Sequence, residues 1–152
     1  MADVKVWLNL PEGWHGHGKE GLWCEEIGVD KYLLRNTPFY ASGLSLNDEI
    51  LANFNEQVNL IIFEKILKKS GHSTYRCMVG PERSKALQKY IDKLNEMDCW
   101  YESAIIGELE LFAFDVPPHV DIELVYKVLD DGLKSGVWDF EEADYANGKK
   151  HT

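Results

Sequence analysis

The residues best suited to chemistry lie in a glycine-rich loop, GWHGHGKEGLWC, at residues 13–24. This loop places the imidazoles of His15 and His17 two positions apart and ends on the thiol of Cys24. Zinc accepts nitrogen and sulfur ligands, and His72 from a later loop could supply a fourth. Because no compact fourth ligand accompanies the pair, the sequence predicts no metal site. It predicts a turn whose imidazoles bond carbonyl groups or face solvent.

A second polar group surrounds His72 in the stretch SGHSTYR. A histidine beside a hydroxyl can activate a nucleophile, but adjacent strand residues point to opposite faces, so His72 and Ser73 are not expected to bond. No catalytic residue is therefore assigned. Even spacing instead places His72 and Arg76 on one face, where His17 and Arg35 from two other loops could join them. These four residues define a hypothetical pocket for an anion or another ligand.

The acidic residues of the chain are concentrated in its second half. Between Asp98 and Asp144 there are thirteen acidic residues and two basic ones, a net charge of −11 within a chain whose total is −10. Such a surface repels nucleic acid and attracts basic proteins, although it could also serve solubility alone. Carboxylates beside an aromatic anchor are the candidate partner-binding residues. They are Asp131, Asp139, Glu141, Glu142 and Trp138.

Several features bear on the compartment and on cofactors. Cys24, Cys77 and Cys99 lack paired spacing, which agrees with a reducing compartment and with buried thiols. No apolar run reaches the ~20 residues of a membrane-spanning helix, and no secretory signal is evident at the N-terminus. We therefore expect a cytoplasmic protein without a membrane partner. The phosphate-binding glycine motifs and CxxC pairs are absent, so no cofactor is expected.

Residues 1–70 have the short alternating segments of a β-rich module. The segment VKVWLNL alternates apolar and polar side chains, as a half-buried strand does. Turn signals separate it from the strands that follow. The strands are expected at residues 4–10, 21–26, 31–35, 49–54 and 60–67. Five short strands in this length predict a small curled sheet or barrel.

Residues 71–144 follow a mixed pattern of strands and helices. Strands are expected at residues 73–79, 99–106, 108–116 and 137–141, and amphipathic helices at 83–97 and 122–134. Asp121 can cap the second helix. This βαββαβ order is typical of ferredoxin-like domains, in which right-handed crossovers place both helices on one face of the sheet. The predicted fold class is α+β, and residues 145–152 are predicted to form a flexible tail.

Four segments carry a resemblance to a known family: GWHGHGKEGLW, YLLRNTPFYASGLSLND, KKSGHSTYR and DVPPHVDIELVYKVLDDGLKSGVWDFEE. Together they resemble a bacterial family of small proteins catalogued as a domain of unknown function, over residues 4–144. The resemblance implies no particular reaction. The last segment also resembles the closing half of small acidic proteins that inhibit a bacterial endoribonuclease.

The sequence leaves two functional hypotheses. The first is a non-catalytic acidic binding protein, an immunity or inhibitor protein that neutralises a basic partner such as a nuclease-like toxin domain. Electrostatic complementarity would speed association with that partner and select it. The alternative is a small enzyme or anion-binding protein that uses the pocket around His17, Arg35, His72 and Arg76.

Overall fold

The computed structural model describes residues 3–13 and 15–146. Its strands are β1 (Val4–Asn9), β2 (Lys19–Gly28), β3 (Lys31–Leu34), β4 (Glu49–Asn55), β5 (Leu60–Lys68), β6 (Ser73–Val79), β7 (Trp100–Ile106), β8 (Leu109–Val116) and β9 (Asp139–Asp144). Helix α1 (Leu87–Glu96) follows β6, and helix α2 (Ile122–Lys134) follows β8. The predicted α+β class is therefore confirmed. Trp14 and the part of the predicted tail from residue 147 onward lie outside the described residues.

The first five strands form a closed barrel. Consecutive strands pair antiparallel, and parallel pairing of β1 with β5 closes the circle. Alternation turns every second side chain inward, and Val6, Leu22, Leu34 and Ile50 are fully buried there. The barrel therefore has a hydrophobic core of its own.

The other four strands form an antiparallel sheet in the order β7-β8-β6-β9. Leu94 of α1 and Leu129 of α2 belong to one buried cluster with Tyr75 and Phe114, so both helices pack on the same face of this sheet. Successive strand residues point to opposite faces, which places Arg76 on the other face. That face lies against the barrel.

Helix α1 begins later than predicted. The expected start was Arg83, but the helix begins at Leu87. The hydroxyl of Ser84 accepts the N–H of Ala86 at 3.1 Å, and its carbonyl accepts the N–H of Leu87 at 3.1 Å. Serine side chains compete with helical hydrogen bonding in this way, and the local turn delays the helix.

Helix α2 has the predicted bounds, and Asp121 caps it by accepting the N–H of Glu123 at 3.0 Å. The last strand was predicted at 137–141 but runs from Asp139 to Asp144. Val137 donates its N–H to Gly132 of α2 at 2.8 Å instead of joining the sheet. The apolar pair before Asp139 therefore closes the core beneath α2.

The described helices are short. Within residues 3–13 and 15–146, none is long and apolar enough to cross a membrane.

Candidate functional site

Residues 38–41, in the connection between β3 and β4, lie between the barrel and the second sheet. The guanidinium of Arg76 on β6 donates to three carbonyl oxygens of this segment, those of Pro38 at 3.3 Å, Tyr40 at 3.1 Å and Ala41 at 2.7 Å. Its Nε donates to the carboxylate of Glu141 on β9 at 2.6 Å. Arg76 is only 1% exposed, so these groups neutralise and solvate a cation that water does not reach.

The N–H groups of the same segment are bound by Glu20 on β2. Its carboxylate accepts three of them, from Phe39 at 2.7 Å, Tyr40 at 3.1 Å and Ala41 at 2.8 Å. Glu20 is itself buried. The segment thus donates to a carboxylate of the barrel and accepts from a guanidinium of the sheet, so two opposite charges fix its peptide groups.

A second polar cluster joins the same two parts of the chain. Lys69 donates to Asp48 at 2.5 Å and to Asp144 at 2.6 Å. The hydroxyl of Ser45 donates to Asp144 at 2.6 Å and lies 2.8 Å from the hydroxyl of Thr74. Asp48, Ser45 and Thr74 have no exposed surface. A serine hydroxyl beside a carboxylate could suggest a nucleophile, but this one is inaccessible to substrate and serves structure.

His72 lies in the connection between β5 and β6 and makes one close side-chain contact. Its Nδ1 lies 2.7 Å from the carboxylate of Asp115, and both side chains are about one-seventh exposed. Burial raises the pKa of Asp115, and the hydrogen bond with the imidazole opposes that rise. Asp115 is the only hydrogen-bond partner of the ring among the described residues. Ser73 is not among its partners, as expected from strand alternation.

The imidazoles of the glycine-rich loop pack against an aromatic ring, and that of His17 stacks on it. The centroid of the His17 ring lies 4.5 Å from that of Tyr40, and His15 lies 5.0 Å from the same ring. Nδ1 of His15 also accepts the N–H of His17 at 2.9 Å. No group of three or more metal-binding side chains occurs among the described residues. The loop is therefore organised by stacking on the segment that Arg76 binds.

The four residues of the hypothetical ligand pocket occupy different environments. His17 and Arg35 are exposed, and Arg35 donates to Asn47 at 3.0 Å. His72 and Arg76 are four residues apart in extended chain, about 13 Å at the usual rise per residue. The buried guanidinium of Arg76 already binds Glu141 and the barrel carbonyls. These contacts give Arg76 a structural role, and the ligand pocket stays a prediction.

The predicted partner-binding residues separate into two groups. Glu141 binds Arg76, and Glu142 accepts the hydroxyl of Tyr75 at 2.5 Å. Burial, reinforced by this hydrogen bond, raises the pKa of Tyr75. Both carboxylates therefore hold the fold together. Asp131 and Asp139 are exposed and have no hydrogen-bond or ion-pair partner among the described residues, so they can meet a partner.

Trp138 was a candidate anchor for a partner, and the alternative was that the aromatic residues of its strand pack beneath the helices; the structure buries it. Trp138 is 4% exposed, and its indole N–H donates to the carbonyl of Leu129 at 2.9 Å. It lies against Gly132 of α2, where the absence of a side chain makes room for the ring. The exposed tryptophan of the acidic half is Trp100, at 58% on the edge strand β7. Alternation along a strand shows which residues share a face. It does not show which face the helices cover, so the sequence alone could not identify Trp100 as the exposed residue.

A cavity that the sequence did not reveal lies at the C-terminal end of α2. Its volume is about 450 Å³. Its walls come from the end of β6, the turn that follows, the end of α2 and the start of β9. The lining residues are Met78, Gly80, Pro81, Glu82, Leu133, Gly136, Val137, Trp138 and Asp139. In the sequence, the motif Gly80-Pro81-Glu82 predicted a turn with an acidic residue on it. That turn was the available indication of a negatively charged feature here.

The three cysteines are buried free thiols. Burial raises the pKa of Cys24 and Cys99 to about 12 and raises that of Cys77 well above its usual value.

Because the thiolate is the reactive form, we expect no alkylation of the three cysteines by iodoacetamide in the native protein at pH 8. All three thiols should react in concentrated urea, as counted by intact mass spectrometry. Rapid labelling of one thiol without urea would contradict this.

The fold defines a class of two-sheet α+β proteins. It combines the barrel, the sheet that carries both helices and the buried polar junction between them. Comparison with family models matches residues 20–140 to the family described as Domain of unknown function (DUF4265). The chain belongs to this family. The structure is also similar to one solved as "Novel crystal structure of a hypothetical protein from Neisseria gonorrhoeae", with a TM-score of 0.73 and 18% identity over 95% of this chain and 96% of that one.

That structural similarity shows the shared fold alone. No curated protein matches the chain. The resemblance of the C-terminal half to acidic endoribonuclease inhibitors receives no support from these matches.

Proposed function

We propose that this protein is a non-catalytic acidic binding protein whose partner is a basic protein. The proposed partner is a nuclease-like toxin domain. The protein would act as its immunity or inhibitor protein. The proposal rests on one observation: exposed carboxylates that have no ion-pair partner among the described residues lie near the C-terminal end of α2. A cytoplasmic location is part of this proposal, because three free thiols suit a reducing compartment.

The contacts of the acidic segment indicate where the partner would bind. Six of its carboxylates, those of Asp98, Glu110, Asp115, Asp130, Glu141 and Asp144, pair with histidine, lysine or arginine side chains of this chain. Within residues 3–13 and 15–146, Asp131 and Asp139 form no ion pair, and neither does Glu82 on the facing turn. The helix C-terminus adds a partial negative charge to the same end. A basic partner would be attracted to this end before it made any contact.

We also propose a domain division and a more specific fold. The division places a β-rich module at residues 1–70 and a ferredoxin-like domain at 71–144. The barrel strands end at Lys68 and the second sheet starts at Ser73, which supports a boundary between them. The βαββαβ order, the antiparallel pairing and the shared face of both helices support the ferredoxin-like assignment.

Charge reversal at the end of α2 should slow association with the partner. We expect the double variant Asp131→Lys/Asp139→Lys to associate about tenfold more slowly at low salt, because long-range attraction sets the encounter rate. High salt should shrink this difference, and the dissociation rate should change less. A partner is first isolated from the source cells by pull-down. Surface plasmon resonance at two salt concentrations then measures both rates.

A matched control changes the net charge equally on the barrel. Glu26→Lys/Glu56→Lys reverses two exposed carboxylates far from α2 in sequence. This control should slow association less than the α2 variant. Glu141 and Glu142 are left intact because their loss would remove the contacts with Arg76 and Tyr75 and so disturb the fold. Equal rates for the wild type and the α2 variant would refute the proposal, as would a reproducible partner that is itself acidic.

A further inference from the structure

The cavity at the end of α2 combines apolar walls with two acidic side chains. Met78, Pro81 and Leu133 supply carbon surface, and Leu133 is 41% exposed. Glu82 and Asp139 line the same cavity, and neither carboxylate has a hydrogen-bond or ion-pair partner among the described residues. Such a lining favours a ligand with an apolar stem and a cationic end.

Two glycines, Gly80 and Gly136, line this cavity. A Cβ atom added at Gly80 or at Gly136 would meet no heavy atom within 4 Å. Gly136 has a φ of 74°, the left-handed conformation in which glycine ends a helix at low cost. Gly80 is not among the glycines with a positive φ, so its backbone conformation does not require glycine. Because Gly80 lines the cavity and its Cβ position is open, we expect a larger side chain there to occupy part of the cavity.

The two charged residues that line the cavity are both acidic. Two carboxylates and the C-terminal end of the thirteen-residue helix α2 all favour a cation. The nearby cation Lys134 is paired with Asp130 at 2.8 Å. Phosphate groups and nucleic acid would be repelled.

We propose that this cavity binds an arginine side chain of the basic protein partner, an inference that rests on the proposed function. The methylene stem of the arginine would pack on Met78 and Leu133. Its planar guanidinium presents several N–H donors in a fixed fork, which suits two carboxylates better than the compact ammonium of lysine does. The arginine is thus a short-range anchor within a surface that attracts the partner at long range.

The first experiment uses the isolated side chain as the probe. N-acetyl-arginine amide is titrated into the ¹⁵N-labelled protein, and N-acetyl-citrulline amide is the neutral control of nearly the same shape. We expect saturable shifts at the amides of Gly80, Gly136 and Asp139, with citrulline bound at least about tenfold more weakly. No saturable shift at these amides, or equal binding of citrulline, would overturn the proposal.

Filling the cavity tests the same site without changing its charge. Gly80→Leu should abolish the arginine-induced shifts, and Glu82→Gln/Asp139→Asn should weaken them about tenfold. Gly18→Leu is the matched control, because a Cβ atom there also meets nothing within 4 Å. It should bind the probe as the wild type does. Arginine binding that survives Gly80→Leu would place the probe elsewhere and overturn the proposal.

Binding of the partner itself separates this inference from the proposed function. Gly80→Leu should raise the partner's Kd about tenfold through faster dissociation, since it removes a short-range contact. Charge reversal at Asp131 alone, which does not line the cavity, acts instead on the association rate. If Gly80→Leu leaves the Kd unchanged while charge reversal still slows association, the arginine site fails and the acidic binding function stands. If charge reversal has no effect, the binding function itself fails.

Discussion

Replacement of Arg76 by methionine should lower the free energy of unfolding by about 3 kcal/mol, near the lower end of the cost of breaking a buried ion pair. Methionine keeps an apolar stem but removes every donor. Glu141 then loses its cation, and three barrel carbonyls lose their hydrogen-bond donor. The lower end applies because the side chain of Glu141 is 33% exposed, so water can partly replace the lost contact.

Urea unfolding monitored by tryptophan fluorescence measures this loss. Arg35→Met is the control, since Arg35 is exposed and donates to a single amide oxygen; it should change stability by no more than about 0.5 kcal/mol. Arg76→Lys should also destabilise the protein, because a lysine cannot reproduce the fork that reaches Glu141 and several carbonyls. A loss below about 1 kcal/mol for Arg76→Met would show that these bonds contribute little.

The elements of this fold were largely predictable because their signals are local. Strand β6 was predicted with its observed bounds from an apolar and β-branched run between turns. Helix α2 was predicted with its observed bounds because Asp121 supplies a cap and an apolar stripe follows. Helix α1 was predicted from Arg83, although its apolar spacing begins only at Ala86; the start was missed because Ser84 forms a local turn before that point.

The roles of the charged residues were less predictable, because charge counts do not reveal pairing. Glu141 and Asp139 contribute equally to the net charge of the segment, yet Glu141 binds a buried guanidinium and Asp139 faces solvent. What separates them is the register of β9 against β6, which places Glu141 opposite Arg76. Register across a sheet depends on residues distant in sequence, and a single sequence does not specify it.

The burial of Trp138 depends in the same way on a distant small residue. A Cβ atom at Gly132 would lie 2.5 Å from the indole nitrogen, so only glycine leaves room for the ring at that point of α2. From the sequence, a glycine inside a helix indicates only a small loss of helix propensity. The contact that explains Gly132 also explains why the tryptophan is not available to a partner.

Glu20 is the counterpart of Arg76 on the barrel side of the junction. Its carboxylate accepts the N–H groups of residues 39–41, whereas the guanidinium of Arg76 donates to the carbonyl groups of residues 38, 40 and 41. Each charge therefore holds the segment in the conformation that the other requires. Two residues that share a bound segment should not contribute independently to stability.

Replacement of Glu20 by glutamine should lower the free energy of unfolding by about 2–4 kcal/mol, because charge-assisted hydrogen bonds are lost and the new NH₂ group faces a buried N–H donor. Glu26→Gln is the control, since Glu26 is an exposed residue of the same strand, and it should cost at most about 0.5 kcal/mol. The double variant with Arg76→Met should lose less stability than the sum of the two single losses, by about 0.5–3 kcal/mol, because the first replacement already releases the segment. Urea unfolding of all four proteins gives this coupling energy. Strict additivity would mean that the two charges hold the segment independently, and the shared-segment account of the junction would then be wrong.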